Sequence, residues 1–596
     1  MTSGENDGPG LVLGPMLRYA SETEATVWVE TDQECLVEIL GRQARTFEVA
    51  GHHYGLVVLD GLAPGSEQEY TVTLDGSIRW PLADGGFPPS VLRTLGRDRP
   101  ARLAFGSCRI TEIAPQNLDR RARRYGAEGV DALVACAAAL RDTPRDRWPD
   151  VLLMIGDQVY ADEPGPATRQ FIAERRGAAA RPQPPATQTG ATPPAGAAPA
   201  SAPSASAAPL DEIADFEEYC ALYREAWSDP EVRWLFSVIP TAMIFDDHDV
   251  HDDWNTSAAW RRDVTALPWW GSRIEGAYQS YWLYQHLGNL SPGELAIDET
   301  WGKLRQGGDG KPVLADLAHR ADQRAPGIRW SFRRTFGRVR LVMLDSRSRR
   351  VVDGTRLMAD EGEWQWLTES VSGDWEHVVI ATSVPPLLPR GIHALEAWTE
   401  RLADGAWGKR AARFGERLRQ AVDLEHWPAF GASFAKLERL LTELADGQHS
   451  PHGDPPASVT VISGDVHHSY LAEVDLTGSA RQASPGRESP RQGSPGKCAV
   501  HEVVCSPFHQ AMLPRMRFAQ RLASTWASGR VGIIIATLAG ASVPGMRWRV
   551  TAGPWFQNMI AVLEFDGATA RVRFDRAAAD ESGAPHLSTA AEARLS

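Results

Sequence analysis

The chain has 596 residues, which is too long for a single hydrophobic core and predicts two or three domains, one of them large. Its net charge of -14 argues against general nucleic-acid binding, although a local basic pocket for an anionic substrate stays open. The composition, 43% hydrophobic and 23% charged, is that of a globular protein. The six cysteines show no zinc-finger spacing and indicate no disulfide framework.

Residues 1–10 are expected to be disordered, and they lack the basic and apolar regions of a secretory signal, which favours a cytoplasmic protein. Residues 11–98 contain short alternating strands separated by turns, such as ATVWVET and YTVTL, and predict a small all-β domain. The stretch LDGLAPGSEQEYTVTLDG resembles the late strands of fibronectin type III-like sandwiches.

Residues 99–575 alternate apolar strands with helical stretches and predict an α/β domain. Two inserts interrupt it, and their Ala/Pro/Ser-rich or Ser-Pro-rich composition predicts disorder at 178–209 and 477–497. Residues 576–596 are expected to form a C-terminal tail.

One long apolar stretch, VGIIIATLAGASVPGM at 531–546, is too short for a confident membrane span. A buried helix is the expected structure, so no transmembrane segment is predicted. The alternative is a peripheral membrane contact supported by the basic run RMRFAQR at 515–521.

Four predicted strands deliver reactive side chains where each strand ends. The motifs are RLAFGSC at 102–108, VLLMIGDQVYAD at 151–162, TAMIFDDHDVHDDWN at 241–255 and VTVISGDVHHSY at 459–470. Ligands gather at the carboxyl ends of such strands in α/β folds. A single Gly-Asp is as well explained by a turn, but four such ends are not. The carboxylates of DDHDVHDD would repel one another unless a cation neutralised them, so the sequence predicts a metal site.

Oxygen and nitrogen ligands suit several divalent or trivalent cations, while a thiolate or phenolate favours iron. Two neighbouring metals sharing a carboxylate are a common arrangement for phosphoryl transfer. Arg109, which follows Cys108 directly, is expected to hold a phosphate oxygen through a bidentate contact.

The order of GSC, GDxxY, DDHD and SGDVHHS resembles the alkaline phosphatase D (PhoD)-like metallophosphatases of the calcineurin-like superfamily. LDSRSRR at 344–350 and ATSVPPL at 381–387 also resemble pieces of that family. The resemblance implies a metallophosphoesterase-type β-sandwich core flanked by helices, preceded by the all-β domain.

Carried over by position, the resemblance implies metal ligands at Cys108, Asp157, Tyr160, Asp247, Asp465 and His467, with Asn255 as an additional ligand or phosphate contact. Asp157 would bridge two metals, and Asp465 and His467 would serve different metals. His248 would assist the leaving group. The neighbouring His468 would contact phosphate or pack.

The resemblance implies an Fe3+ and Ca2+ centre, with zinc or manganese as alternatives. Positions 247 and 465 are Asp in this chain, where relatives often have Asn or His. These carboxylates favour a hard ion such as calcium at the second site. The middle histidine ligand of the superfamily has no clear match near ATSVPPL, and DLEHW at 423–427 departs from the usual family motif. We expect the latter segment to shape the mouth of the pocket.

The expected function is hydrolysis of phosphate mono- or diesters by a hydroxide on the two-metal centre, acting on a small phosphorylated substrate. One alternative is a binding protein on a degenerate fold, which predicts broken ligand positions. Another is a nuclease-like metallohydrolase, for which the acidic net charge disfavours long nucleic acids.

Overall fold

The computed structural model describes residues 8–82, 85–97, 99–112, 129–179, 208–421, 423–477, 498–510, 512, 517, 520 and 526–596. Most of both predicted inserts, at 180–207 and 478–497, and the first seven residues lie outside this described part. The disorder expected for these stretches therefore stays a prediction.

The N-terminal part is an all-β domain, as the sequence predicts. Its strands form four-stranded sheets in the orders β1-β2-β6-β5 and β4-β3-β8-β9, and a two-stranded sheet of β10 and β7. Val27 and Val57 of the first sheet pack against Val37 and Val72 of the second. The strands are β1 Leu11–Ala20, β2 Ala25–Thr31, β3 Leu36–Ile39, β4 Arg42–Arg45, β5 Phe47–Val49, β6 His52–Leu59, β7 Glu67–Glu69, β8 Val72–Leu74, β9 Ser77–Trp80 and β10 Val91–Arg93.

Two larger mixed sheets make up the core of the α/β domain. One has six strands in the order β13-β12-β11-β21-β22-β23, and the other has seven in the order β14-β15-β16-β17-β19-β18-β20. The strands are β11 Ala101–Gly106, β12 Val151–Ile155, β13 Thr241–Ile244, β14 Phe332–Phe336, β15 Val339–Leu344, β16 His377–Thr382, β17 Ser458–Ser463, β18 Ser469–Asp475, β19 Ala499–Val504, β20 Arg547–Trp555, β21 Met559–Asp566, β22 Thr569–Ala579 and β23 Pro585–Arg594.

Helices flank both sheets. They are α1 Ala132–Arg141, α2 Pro166–Ala179, α3 Phe216–Trp227, α4 Pro230–Val238, α5 Ala258–Thr265, α6 Trp270–Ser280, α7 Pro292–Leu295, α8 Glu299–Leu304, α9 Lys311–Asp322, α10 Glu361–Val371, α11 Arg390–Ala403, α12 Lys409–Ala421, α13 Gly431–Ala445 and α14 Trp526–Leu538. A π-helical turn follows α6 at Tyr281–His286, and 3-10 turns lie at Arg145–Arg147, Leu287–Asn289 and Trp427–Ala429.

Alternating side chains explain why the seven-stranded sheet is buried on both faces. Leu341 and Met343 of β15 share a hydrophobic cluster with Leu103 and Phe105 of the six-stranded sheet. Their neighbours on the same strand, such as Val342, belong to a second cluster that includes side chains of α10 and α13. Because successive strand residues point to opposite faces, one face meets the other sheet and the other meets helices. The predicted β-sandwich core flanked by helices is confirmed.

The parallel strands of the two sheets end close to one another. β11, β12 and β13 run parallel in the first sheet, and β15, β16, β17 and β19 run parallel in the second. Gly464, just beyond β17, lies against Ser107, just beyond β11: a Cβ built on Gly464 would come within 2.1 Å of the Ser107 hydroxyl oxygen. Any side chain larger than that of glycine would clash at position 464. Gly464 therefore allows the carboxyl ends of the two sheets to lie against each other.

Two expectations from the sequence differ from the structure. Residues 576–596, expected to be a tail, contain the end of β22 and all of β23, which pair along the edge of the six-stranded sheet. The stretch 531–546, expected to be a buried helix, exposes Val531, Ile534 and Leu538. Its small residues Gly532, Ala536 and Ala539 supply the packed side, so the long aliphatic side chains point outward. Among the described helices, none is long and apolar enough to cross a membrane.

Candidate metal centre

Four of the residues singled out by the sequence meet where the parallel strands end. The Cys108 Sγ, after β11, lies 3.4 Å from Asp157 Oδ2, after β12, and 3.4 Å from the backbone oxygen of Asp465, after β17. A carboxylate oxygen of Asp247, after β13, lies within 4.8 Å of one of Asp157 and of a ring nitrogen of His248. Asp247 also places a carboxylate oxygen within 4.8 Å of one of Asp465. The strand-end motifs therefore converge on one cluster.

The backbone at these residues is in the left-handed region that non-glycine residues seldom adopt. φ is 56° at Cys108, 50° at Asp157, 66° at Asp465, 51° at His467 and 61° at Asn255. Such conformations cluster at functional sites and persist where the surrounding structure holds them. In this chain they turn the side chains that follow the strands back toward the cluster.

The Cys108 side of the cluster contains a thiol, a phenol and a carboxylate. The Tyr160 hydroxyl donates to Asp157 Oδ2 at 3.4 Å, and the Ser506 hydroxyl lies 3.3 Å from the Cys108 Sγ. Burial and the carboxylate of Asp157 raise the pKa of the Cys108 thiol well above its usual value, and burial likewise raises that of Tyr160. A bound cation reverses that preference, because a coordinating thiol is deprotonated.

Three carboxylates make up the other side. Asp246, Asp247 and Asp465 each place an oxygen within 4.8 Å of the others. Burial raises the pKa of Asp246 to about 8, although Arg347 opposes that rise. Burial also raises the pKa of Asp247, and the pKa of Asp157 lies well above its usual range because of burial and the charge of Asp247. Without a cation, so many acids cannot all ionise in one buried space.

The donor set fits a cation. The Asp157 Oδ1 and Asp246 Oδ2 atoms are buried and have no hydrogen-bond partner. Buried polar atoms are normally paired, so each orphaned oxygen indicates a missing partner. Carboxylate oxygens beside a thiol and a phenol are suitable ligands for a metal ion.

His248 stands at the edge of the cluster with a carboxylate behind it. Its Nδ1 lies 2.9 Å from Asp162 Oδ2, and its Nε2 lies 3.9 Å from Asp252 Oδ1. Its ring stacks on Tyr160 at 4.4 Å between centroids. Burial alone would lower the pKa of His248, but Asp162 and Asp247 raise it well above the usual range. His248 is therefore held in place beside the carboxylates, in surroundings that favour its protonated form.

Three further residues expected at the site are His467, Asn255 and His468. The His467 ring has no hydrogen-bond partner among the described residues, and burial lowers its pKa to about 4, which leaves a neutral imidazole suited to a metal. The Asn255 amide donates to the Arg347 carbonyl at 3.3 Å, beside the cluster. His468 is buried, its Nδ1 lies 2.7 Å from the Val466 carbonyl oxygen, and its ring stacks on Tyr470.

Arg109 does not reach the cluster in the manner expected from the sequence. Its Nε donates to Asp131 Oδ2 at 2.7 Å and its Nη1 to the Ala226 carbonyl at 2.6 Å. Asp131 also caps the N-terminus of α1 by accepting from the Leu133 amide. The guanidinium therefore joins helices α1 and α3 and is occupied by these partners.

Sequence reasoning missed a buried arginine beneath the cluster. Arg347, after β15, pairs with Asp246 and Glu425, and its Nη2 lies 3.1 Å from Asp247 Oδ1. Burial opposes the charge, but the three acids raise its pKa well above the usual value. The signal was present in LDSRSRR and DLEHW, but the sequence does not show that the two segments meet.

A second missed pair lies behind Asp465. His426 Nε2 is 2.9 Å from Asp465 Oδ2, and His426 Nδ1 is 2.6 Å from Glu396 Oε1 on α11. Glu396 is fully buried. Carboxylates that bind a metal usually have a hydrogen-bond partner behind them, which fixes their orientation. His426 is in that position behind Asp465, and Glu396 in turn holds the second nitrogen of His426. DLEHW was expected to shape the pocket mouth; its Asp423 is exposed, whereas Glu425 and His426 are buried beside the centre.

Comparisons with known proteins agree with this geometry. A family model described as PhoD-like phosphatase matches residues 135–527, more than half of the chain, and one described as a domain of unknown function (DUF7800) matches residues 8–92. A solved structure titled "Structure of PhoD" is similar with a TM-score of 0.53 and 12% identity, covering 100% of this chain and 94% of that chain. No curated protein matches.

Proposed function

The chain belongs to the PhoD-like phosphatase family, and from that premise we propose that it hydrolyses small phosphate monoesters or diesters at a two-cation centre. The observation that carries the proposal is the convergence of Cys108, Asp157, Asp247 and Asp465 around buried, unpartnered carboxylate oxygens. A degenerate binding protein would have lost some of these ligands, whereas this chain retains each of them.

The chemistry of the side chains suggests how the ligands divide. Cys108, Tyr160 and His467 would hold an iron ion, and Asp247 and Asp465 would hold calcium, with Asn255 beside them. Asp157 would be shared, because it lies between the Cys108 and Asp247 sides. Zinc or manganese is the alternative. Cations bound there would activate a water molecule and neutralise charge that develops on the phosphoryl oxygens.

His248 supplies the proton that the reaction needs. Asp162 holds Nδ1, so Nε2 faces the carboxylates and carries a proton toward the leaving oxygen. Asp162 raises the pKa of His248 and so favours the protonated form that a general acid needs. General acid catalysis of this kind contributes about 10²- to 10⁴-fold to a rate. Arg109 is left out of this scheme because Asp131 and Ala226 occupy its guanidinium.

The proposal is tested by comparing the wild-type protein with Asp157→Asn. We expect the wild type to contain two bound metals and to hydrolyse p-nitrophenyl phosphate or bis-p-nitrophenyl phosphate. Asp157→Asn should lose metal and at least about 100-fold in kcat/KM, because one substitution would weaken both ions. Metal content by mass spectrometry and initial rates are the measurements, and the ratio of the two substrates decides between monoester and diester preference.

Asp60→Asn is a matched control, because Asp60 is an exposed carboxylate paired with Arg42 in the N-terminal domain. It should leave metal content and rates unchanged. A wild-type protein without bound metal, or an Asp157→Asn protein with unchanged rates, would contradict the proposal. Hydrolysis of a short oligonucleotide in place of both small substrates would favour the nuclease-like alternative.

A further inference from the structure

Helix α14 presents a row of large aliphatic side chains to solvent. Val531 is 57% exposed, Ile534 61% and Leu538 73%, and Ile535 and Val543 are also exposed. The other side of the helix is made of small residues: a Cβ built on Gly532 would lie 2.8 Å from the Ala394 Cβ of α11. The helix therefore packs through small residues and leaves its most apolar side uncovered. Contiguous exposed apolar residues of this kind mark interaction surfaces.

The charge of the surrounding sequence is opposite to that of the chain. Residues 503–563 contain six arginines and no Asp or Glu, although the whole chain has a net charge of -14. Three of these arginines, Arg530, Arg547 and Arg549, are exposed at or just beyond the ends of the α14 segment. Positive charge therefore lies beside the apolar face. Residues 503–563 contribute no carboxylate that would interrupt this face.

A second segment with the same character also lies next to α11. Trp407 and Phe414 are about half exposed, and the exposed residues between them include Lys409, Arg410 and Arg413. Helices α12 and α14 both pack against α11. Two elements on one helix layer therefore combine exposed apolar side chains with basic ones.

We propose that α14 docks on an anionic lipid surface, with Val531, Ile534 and Leu538 entering the boundary between headgroups and acyl chains. The arginines would pair with lipid phosphates. Interfacial helices have this division into an apolar face and a basic border, and anionic leaflets attract clustered Lys and Arg.

Other occupants fit the same surface less well. In a symmetric dimer through α14, the arginine-rich segment of one copy would lie on the same segment of the other, and like charges would repel. The inserts 178–209 and 477–497 contain almost no large aliphatic residues that could cover it. A lipid surface supplies both an apolar layer and negative charge.

The docking surface is one helix away from the candidate metal centre. Glu396 of α11 bonds His426, which in turn bonds Asp465. Docking would therefore hold the centre close to the lipid surface while none of its ligands takes part in the contact. The proposal rests on the exposed side chains of α14 and the basic residues near it, and it stands whether or not the chain is a phosphatase.

The test is co-sedimentation of the full chain with extruded vesicles, either pure phosphatidylcholine or phosphatidylcholine mixed with phosphatidylglycerol. We expect binding to the anionic vesicles that is at least about tenfold stronger than to the neutral ones and that weakens with salt. The double substitution Ile534→Asp and Leu538→Asp should lower binding at least about tenfold, and Arg530→Gln with Arg547→Gln should lower it in anionic vesicles.

Ile297→Asp is the matched control, because Ile297 is an aliphatic residue 85% exposed between α7 and α8. It should bind vesicles like the wild type, and all variants should keep the wild-type thermal midpoint and the wild-type rate on a soluble substrate. Equal vesicle binding by Ile534→Asp/Leu538→Asp would overturn the proposal. So would a wild-type dimer that this variant converts to monomer, or a variant with a lowered thermal midpoint, since these show that protein covers the face.

Discussion

At the scale of single residues, the centre is built on a strained backbone. Cys108, Asp157, Asp465 and His467 all have positive φ, and each such residue costs about 1–3 kcal/mol. The Asp465 amide donates to the Ser107 hydroxyl oxygen, and the Cys108 amide donates to the Gly156 carbonyl. These hydrogen bonds hold the turns in place and fix the direction of the side chains that they carry.

A first prediction concerns the proton on His248. Replacing Asp162 by Asn removes the charge that raises the pKa of His248, while the amide oxygen can still accept from the Asp252 backbone. Because the pKa falls, His248 loses its proton at a lower pH. We expect the alkaline limb of kcat/KM for phenyl phosphate to move to lower pH, with a loss of about 10- to 100-fold above neutrality. The measurement is the pH profile of kcat/KM.

The control for this prediction is p-nitrophenyl phosphate, whose leaving group needs little help from an acid. Its rate in Asp162→Asn should change much less than that of phenyl phosphate. Equal losses for both substrates would assign Asp162 a role in binding cations rather than in positioning the proton.

The sequence indicates which residues lie together at the strand ends, but it does not indicate which residues support them. Cys108, Asp157, Asp247 and Asp465 could be found because strand ends of parallel strands share one edge. The supporting roles of Asp162, Glu396 and His426 could not be predicted, since they depend on tertiary contacts. Glu396 lies 30 residues before His426 in an amphipathic helix, and no local pattern pairs them.

At the scale of elements, Arg347 joins three segments. It follows β15, pairs with Asp246 after β13, and pairs with Glu425 just before the 3-10 turn at Trp427–Ala429. All three side chains are buried. Buried ion pairs are costly to break from one side, because the partners keep their charges in a place without water.

Arg347→Met is therefore expected to destabilise the protein by about 3–5 kcal/mol, since it removes the cation that pairs with Asp246 and leaves Glu425 with Arg350 alone. The midpoint of urea unfolding measures the loss. Arg338→Met is the matched control: Arg338 pairs with Asp374 at the surface, where such a pair contributes about 0–1 kcal/mol. Equal midpoints for the two variants would show that water reaches the buried cluster.

The elements themselves were mostly predictable. The central strands follow apolar runs, and helices such as α1, α3 and α13 follow amphipathic ones. The orientation of α14 was not predictable, because glycine, alanine and aliphatic residues are all apolar by composition. Close packing determines the orientation of α14. Its small residues allow the helix to approach α11 closely, and its large aliphatic side chains remain exposed.

At the scale of the whole molecule, the C-terminal strands belong to the sheet that carries Cys108 and Asp157. β11 pairs on one side with β12 and on the other with β21, which continues through β22 to β23. Periodicity predicted strands and turns, but it carries no information on which distant strands pair. For this reason residues 576–596 were expected to be a tail.

Ending the chain after Gly583 would remove β23 and is expected to lower the thermal midpoint by about 5 °C or more. The reason is that Leu595 is buried and that β23 packs against α1. A fusion of a short tag after Ser596 is the control, because it lengthens the chain and keeps β23. An unchanged midpoint in the truncated protein would mean that β23 contributes no stability.

The pairing of β11 with β21 also sets an order of events during synthesis. Cys108 and Asp157 leave the ribosome several hundred residues before Asp465 and before the strand that flanks β11. Until then β11 has an open edge, and the early ligands have no second sheet to face. The two halves of the centre can therefore meet only after β17 and β21 have been synthesised, and a site complete enough to hold cations forms no earlier than that.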